Sequence, residues 1–267
     1  MIEKAEPFLR WAGSKRQLIP QLTKEWNPSA ERYIEPFMGS ACVFFSLNPK
    51  AAILSDVNPD LINVFNAIKK HPKRIYNRLQ TLPLGKRSYY KIRAQNTKDL
   101  TSIQQAARFI FLNRFCFNGL YRTNLDGHFN VPFSGSKTGK LPSLEGLRSV
   151  SGALKNTDIK CCDFEDTLKC VRMNDFVYMD PPFAVGNRRI FRQYDPASFG
   201  LEDLDRLCSS MVEIDRRGAS FVVSYAMCSE ALDAFKNWTI RRTTTNRNIS
   251  GFSKHRRTAV ELIVTNS

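Results

Sequence analysis

Two short apolar segments, RYIEP (32–36) and AAILSDV (51–57), flank a tight turn, FMGS, and one helix-length stretch, ACVFFSL. Strands joined by a helical crossover run parallel, and a parallel pair needs cover on both faces. This β-α-β unit commits the chain to an α/β fold. The alternation returns in the second half. There DIKCCDF (158–164), DFVYMDPPF (175–183) and ASFVVSYA (219–226) read as strands, with LEDLDRLCSSMVEIDRR (201–217) a long helix before the last. WTIRRTTT (238–245) and AVELIVTN (259–266) close the chain as strands. From Pro59 to about Asn118 the apolar period is helical instead: DLINVFNAIKK, KRIYNRLQTL, SYYKIRAQ and IQQAARFIFLNRF. GHFNVPF (127–133) is extended, and SGSKTGKLPSLEG (134–146) is a loop by composition. The expected organisation is an α/β core of residues 1–56 plus 160–267, interrupted by a mostly helical insert, 57–159.

Charge separates these two parts. The chain carries a net +15, and 12 of that lies between Val57 and Ile159, where 17 Lys or Arg face 5 Asp or Glu. A basic lobe of this kind meets a polyanion, most simply nucleic acid; a solvated surface is the plainer alternative. Seven cysteines, an odd number with no C-x-x-C pair, do not form a secreted disulfide framework. His71, His128 and His255 are scattered, so no metal site is expected. No apolar run approaches a membrane span and MIEKAEPFLRWAG lacks a signal-peptide core, so the expectation is a soluble, cytoplasmic protein without a membrane partner.

Function in an open parallel sheet lies at the carboxyl ends of the strands. Three such ends stand out. In EPFMGS, Gly39 lets backbone approach a ligand before a helix. Asp56, ending AAILSD, suits either a ribose hydroxyl pair or the N-cap of the helix that NPDLINVF begins. The third end, DPPF (180–183), joins a carboxylate to two prolines and a ring. The two prolines hold that turn rigid and give it no backbone donor.

The chain resembles the Dam-type DNA adenine methyltransferases along most of its length. The matching segments, in that family's order, are FLRWAGSK (8–15), YIEPFMGSA (33–41), SDVNPDLIN (55–63), FNGLYRTNLDGHFNVPF (117–133), DPPF (180–183) and NRNISGFSKHRRTAVELIVTN (246–266). The resemblance implies a Rossmann-like class I methyltransferase sheet and, for 57–159, a target-recognition domain. It implies S-adenosylmethionine as methyl donor and a flipped-out adenine in double-stranded DNA as substrate. Asp180, Pro181 and Phe183 would form the catalytic group. An exocyclic amine is a poor nucleophile, so the Asp180 carboxylate would accept one N–H and the Pro181 carbonyl the other, stabilising the charge that develops on the nitrogen. Phe183 would stack on the flipped base at about 1–3 kcal/mol. Trp11, Lys15, Phe37, Gly39, Asp56, Asp163, Phe164 and Asp180 would bind the donor: Asp56 at the ribose, Lys15 at the carboxylate, Asp163 and Phe164 at the adenine.

The resemblance also implies how DNA is read. Arg10 would read the first guanine and Arg122 the guanine of the opposite strand, a pattern that gives GATC. Phe117 would wedge into the vacated stack, Asn118 would support the orphaned partner, and Leu120, Asn124 and Pro132 would complete the contact. A monomer with no obligate protein partner is expected. Three positions depart from the family pattern: Phe183 replaces the commoner tyrosine, Ala41 a third glycine, and His128 an acid. Two other readings share the strand-end chemistry, an amino-methyltransferase acting on cytosine or RNA and a catalytically inactive DNA-binding homologue.

Overall fold

A computed structural model describes residues 4–135, 139–183, 199–247 and 257–266. Residues 136–138 of the 134–146 loop, residues 248–256 of the tail and His255 with them lie outside the described residues. In chain order the regular elements begin with α1 (Ile19–Leu22), β1 (Tyr33–Glu35), α2 (Cys42–Leu47), β2 (Ala52–Asp56), α3 (Pro59–Lys70), α4 (Pro72–Gln80), α5 (Lys86–Arg93) and α6 (Ser102–Phe115). They continue with α7 (Leu144–Ala153), β3 (Thr157–Cys161), α8 (Phe164–Leu168), β4 (Phe176–Met179), α9 (Leu201–Arg216), β5 (Ser220–Ala226), α10 (Ser229–Ala234), β6 (Thr239–Arg247) and β7 (Arg257–Thr265).

The strands form a seven-stranded sheet in the order β3-β2-β1-β4-β5-β7-β6. β1 pairs in parallel with β2 and β4, and β4 with β5. β7 then runs antiparallel between β5 and β6. β1 and β4 are buried along their whole length, as strands covered on both faces are; FVYM is a continuous apolar run, while β1 ends on the buried Glu35. Chain order reverses between β1 and β4, and the crevice beyond their carboxyl ends is where an open α/β sheet receives a ligand. Phe37 follows β1 and Asp180 follows β4. The mixed α/β fold is the one expected from the strand–helix alternation.

The chain divides into two compact units. One comprises Met1–Ser14, Gly39–Asn48 and Asp56–Cys161; the other comprises Lys15–Met38, Pro49–Ser55 and Cys162–Ser267. The basic stretch 57–159 therefore belongs to a unit that also takes in two short N-terminal segments.

Caps explain where the helices of the first unit begin. Asn58 Oδ1 accepts from Leu61 N at 3.1 Å, starting α3. Thr101 and Gln104 form a reciprocal capping box at α6. Ser143 Oγ accepts from Gly146 N at 3.0 Å and opens α7, so the last three residues of the segment read as loop are helical. The core of this unit gathers Phe65, Ile68, Leu79, Ile110, Leu112 and Leu147. In the second unit Ile34, Val177, Val223, Leu207, Met211 and Leu262 share one cluster. α1, α8 and α10 are too short to leave a readable period in sequence.

Candidate active site

In the second unit, β4 delivers Asp180 to the crevice and then stops, because Pro181 and Pro182 have no N–H to continue the ladder. Lys15, only 6% exposed, reaches it from the start of the chain: Nζ lies 2.7 Å from Oδ1 and 2.9 Å from Oδ2. The Ser224 hydroxyl on β5 donates to Oδ1 at 3.0 Å. Tyr178 and Ser224 are hydrogen-bonded at 2.9 Å, both fully buried. Burial pushes the Asp180 carboxyl above the usual aspartate range. The Lys15 charge and the hydrogen bonds from Lys15 and Ser224 pull it back, while the nearby Glu261 charge adds to the upward push. Phe183 stands edge-on to Tyr225, ring centroids 5.4 Å apart, with Lys15 Nζ 5.6 Å from its own centroid.

A second group in the same unit surrounds Phe164, which is buried. Its ring stacks on Phe37 at 5.2 Å, and Phe199 closes on both rings at about 6 Å. The Arg206 guanidinium lies 4.7 Å over Phe164 and pairs with Asp163 Oδ1 (2.6 Å), Glu165 Oε2 (2.9 Å) and Asp203 Oδ1 (2.8 Å). Asp163 also caps α8 by accepting from Glu165 N at 2.9 Å. Its Oδ1 is thus committed twice, while Oδ2 makes no hydrogen bond among the described residues.

The first unit holds Asp56. Its oxygens accept from Gly39 N (3.1 Å) and Asn58 N (3.0 Å). Burial raises its pKa against the backbone N–H groups of Asn58, Gly39 and Val57, which lower it. Of its two sequence readings, the helix cap falls away: Asn58 caps α3, and Asp56 is left holding the glycine turn. Gly39 adopts φ +45°, and a Cβ there would sit 2.8 Å from Trp11 Cδ1. Ala41 takes the left-handed conformation, φ 52°, at the position where the family carries glycine; that conformation costs an L-residue about 1–2 kcal/mol. Trp11 continues into an aromatic stack with Tyr121 (5.8 Å) and Phe109 (6.3 Å).

The DNA-reading candidates also cluster in this unit. Asn113 on α6 grips the Arg10 backbone from both sides: Arg10 N donates to Oδ1 at 2.8 Å and Asn113 Nδ2 donates to Arg10 O at 2.6 Å. The Arg10 side chain covers Gly119 so closely that a Cβ there would clash with Arg10 Cβ. Phe117 is 44% exposed, and Asn118 has the left-handed φ 54° that asparagine tolerates. Phe117 N donates to Pro132 O at 2.8 Å, which sets Phe117 beside Pro132. Leu120 is half-buried. Thr123 bridges Phe129, and inside that bridge Asn124 Oδ1 accepts from His128 N at 2.8 Å. Arg122 is exposed on this hairpin, its Nε donating to Asn130 Oδ1 at 2.6 Å.

Sequence reasoning missed Ser224, Tyr178, Arg206 and Asn113. A signal existed for Ser224, a hydroxyl inside the otherwise apolar strand FVVSYA. For Asn113, an amide within the apolar run FIFLN gave the same kind of sign. Arg206 carried none beyond an i,i+3 acid, common on any solvated helix.

The family model of the D12 class N6 adenine-specific DNA methyltransferases matches residues 11–249. The Type II methyltransferase M.MjaIII of Methanocaldococcus jannaschii is 36% identical over 245 residues, 83% of this chain and 84% of its own. The Type II methyltransferase M1.LlaDCHI of Lactococcus lactis subsp. cremoris is 32% identical and covers 97% of this chain and 95% of its own. A DNA adenine methylase of Haemophilus influenzae is 31% identical over 97% of this chain and 93% of its own.

Proposed function

Because the chain belongs to the D12 class N6 adenine-specific DNA methyltransferases, we propose that it methylates the exocyclic amine of a flipped-out adenine in GATC within duplex DNA, with S-adenosylmethionine as donor. Membership in an adenine-specific DNA family removes cytosine and RNA as rival targets. The donor, when bound, supplies an electrophilic methyl group on a positively charged sulfur. The residues suit it. Asp56 keeps acceptor capacity beyond its two backbone bonds for a hydroxyl pair. The Phe37–Phe164 pair offers a flat apolar face to a purine, with Asp163 Oδ2 open beside it. Lys15 brings a buried ammonium to this crevice, a charge complementary to a donor carboxylate.

One observation carries the chemistry: a strand-end carboxylate, 19% exposed and bridged by a buried ammonium. Asp180 accepts one amine N–H and the Pro181 carbonyl accepts the other, which exposes the nitrogen lone pair. Phe183 stacks on the extruded base. The helical, basic stretch 57–159 serves as the target-recognition domain. Arg10 and Arg122 read the outer guanines there, Phe117 fills the gap, Asn118 holds the partner base, and Leu120, Asn124 and Pro132 line the contact. The Type II methyltransferase names of two relatives favour service beside a restriction nuclease.

Methylating an unmodified duplex of known sequence with labelled S-adenosylmethionine, then mapping N6-methyladenine, tests the reading. Label confined to GATC adenines is the expected result. Label in another motif overturns the specificity but leaves the chemistry. No transfer by protein that binds both duplex and donor overturns the chemistry and favours an inactive DNA-binding homologue.

A further inference from the structure

A carboxylate on a strand end can rotate, and only one orientation presents a lone pair to the base. β4 and β5 pair in parallel with Met179 opposite Val223, so Asp180 and Ser224 stand side by side one residue further on. The Ser224 hydroxyl lies 3.0 Å from Asp180 Oδ1. A carboxylate only accepts, so the serine proton is committed to it, and the contact with Tyr178, 2.9 Å away, must be donated by the tyrosine. The chain of donors therefore runs in one direction, Tyr178 to Ser224 to Asp180. Among the described residues Oδ1 meets both Ser224 and Lys15, whereas Oδ2 meets Lys15 alone and keeps an acceptor position.

We propose that Ser224 is a positioning residue for methyl transfer: oriented by Tyr178, its hydroxyl pins Asp180 Oδ1 and leaves Oδ2 as the oxygen that receives the adenine amine. The inference rests on the role given to Asp180 above. It also accounts for the hydrogen-bonded pair of hydroxyls buried between β4 and β5. Buried polar groups are retained where each has its partner, and here each does.

The charged and titratable groups around Asp180 define what a pH profile reads. Lys15 and Ser224 favour the ionised carboxylate, and Glu261 on β7 opposes it. Glu261 Oε1 accepts from Thr245 at 3.1 Å, while its Oε2 has no partner among the described residues. On β1, Glu35 accepts from Tyr33 at 3.0 Å.

The experiment compares Ser224→Ala, Ser224→Thr, Tyr178→Phe and Asp180→Ala in the full chain. It measures single-turnover methylation of a GATC duplex against pH, with duplex and S-adenosylmethionine affinities. Ser224→Ala is expected to slow transfer by about tenfold to a hundredfold at unchanged affinities, as a misplaced reacting group does. Its acid limb moves to higher pH, because a donor to the carboxylate is gone. Tyr178→Phe shifts rate and limb the same way but less, and Ser224→Thr restores both. Wild-type rate and limb in folded Ser224→Ala overturn the proposal. So does a rate loss matched by lost affinity, or a Ser224→Thr chain as slow as the alanine variant. If Ser224→Ala does not fold, Tyr178→Phe decides, and an unchanged rate and limb overturn it. Asp180→Ala separates the two readings. Wild-type transfer by that variant sinks the role of Asp180 itself; an inactive Asp180→Ala beside normal Ser224 and Tyr178 variants sinks only the inference about Ser224.

Discussion

The proposed mechanism needs Asp180 ionised in a place that disfavours charge: burial pushes its pKa up, and Lys15 is the main influence against that. Asp180→Ala abolishes transfer, while filter binding finds duplex affinity largely kept; a folded variant turning over near the wild-type rate would exclude the residue. The active form is the ionised one and its pKa is raised, so activity falls as pH drops through a value above about 3.9, the ordinary aspartate pKa. Lys15→Met removes the chief stabiliser of the anion and moves that acid limb further up, as a pH–rate profile of single turnovers will read; an unmoved limb contradicts the pairing. Phe183→Ala loses a stacking face worth about 1–3 kcal/mol, so transfer slows by roughly fivefold to a hundredfold without stopping. Asp180 was legible in sequence because a carboxylate, two prolines and an aromatic ring are contiguous. Ser224 was not, because one serine in a strand says nothing of which neighbour it meets.

Among the elements, α6 carries most of what links recognition to structure. Asn113 makes both backbone bonds to Arg10, so it sets where that proposed base reader can reach. Asn113→Ala leaves two buried backbone groups unpaired, costing about 1–3 kcal/mol each. It is expected to relax the choice of the first base pair and lower the denaturation midpoint; methylation of sites altered only at that pair measures the former. The exposed hairpin poses a separate question for Arg122. If it reads guanine, Arg122→Ala admits other last base pairs with little loss elsewhere. If all sites weaken together, the arginine holds phosphate. The positions of α3 to α6 were readable from their helical apolar period, which acts within a few turns of chain. α7 was overlooked because its cap follows a glycine-rich, basic run that composition assigns to a loop.

For the whole molecule, the charge is lopsided: residues 57–159 hold 12 of the net +15. Non-specific duplex affinity should therefore fall steeply with salt, with a log–log slope set by the number of phosphates neutralised. A flat salt dependence in a fluorescence-anisotropy titration would reduce that charge to solvated surface. The sequence by itself determined the α/β class, the helical period of the insert, and the carboxylate–proline strand end. All of these act between residues close in the chain, where local sterics and hydrogen bonding suffice. Tertiary structure alone decided that β7 slips between β5 and β6, so that space and chain order part. It decided that Lys15 meets a carboxylate 165 residues away, and that Asp56 holds a glycine turn while Asn58 caps the helix. The physical reason is common to these cases. A buried polar side chain takes whichever partner the packed core brings within about 3 Å, and that choice depends on burial and strand register across the fold, not on any neighbour in sequence.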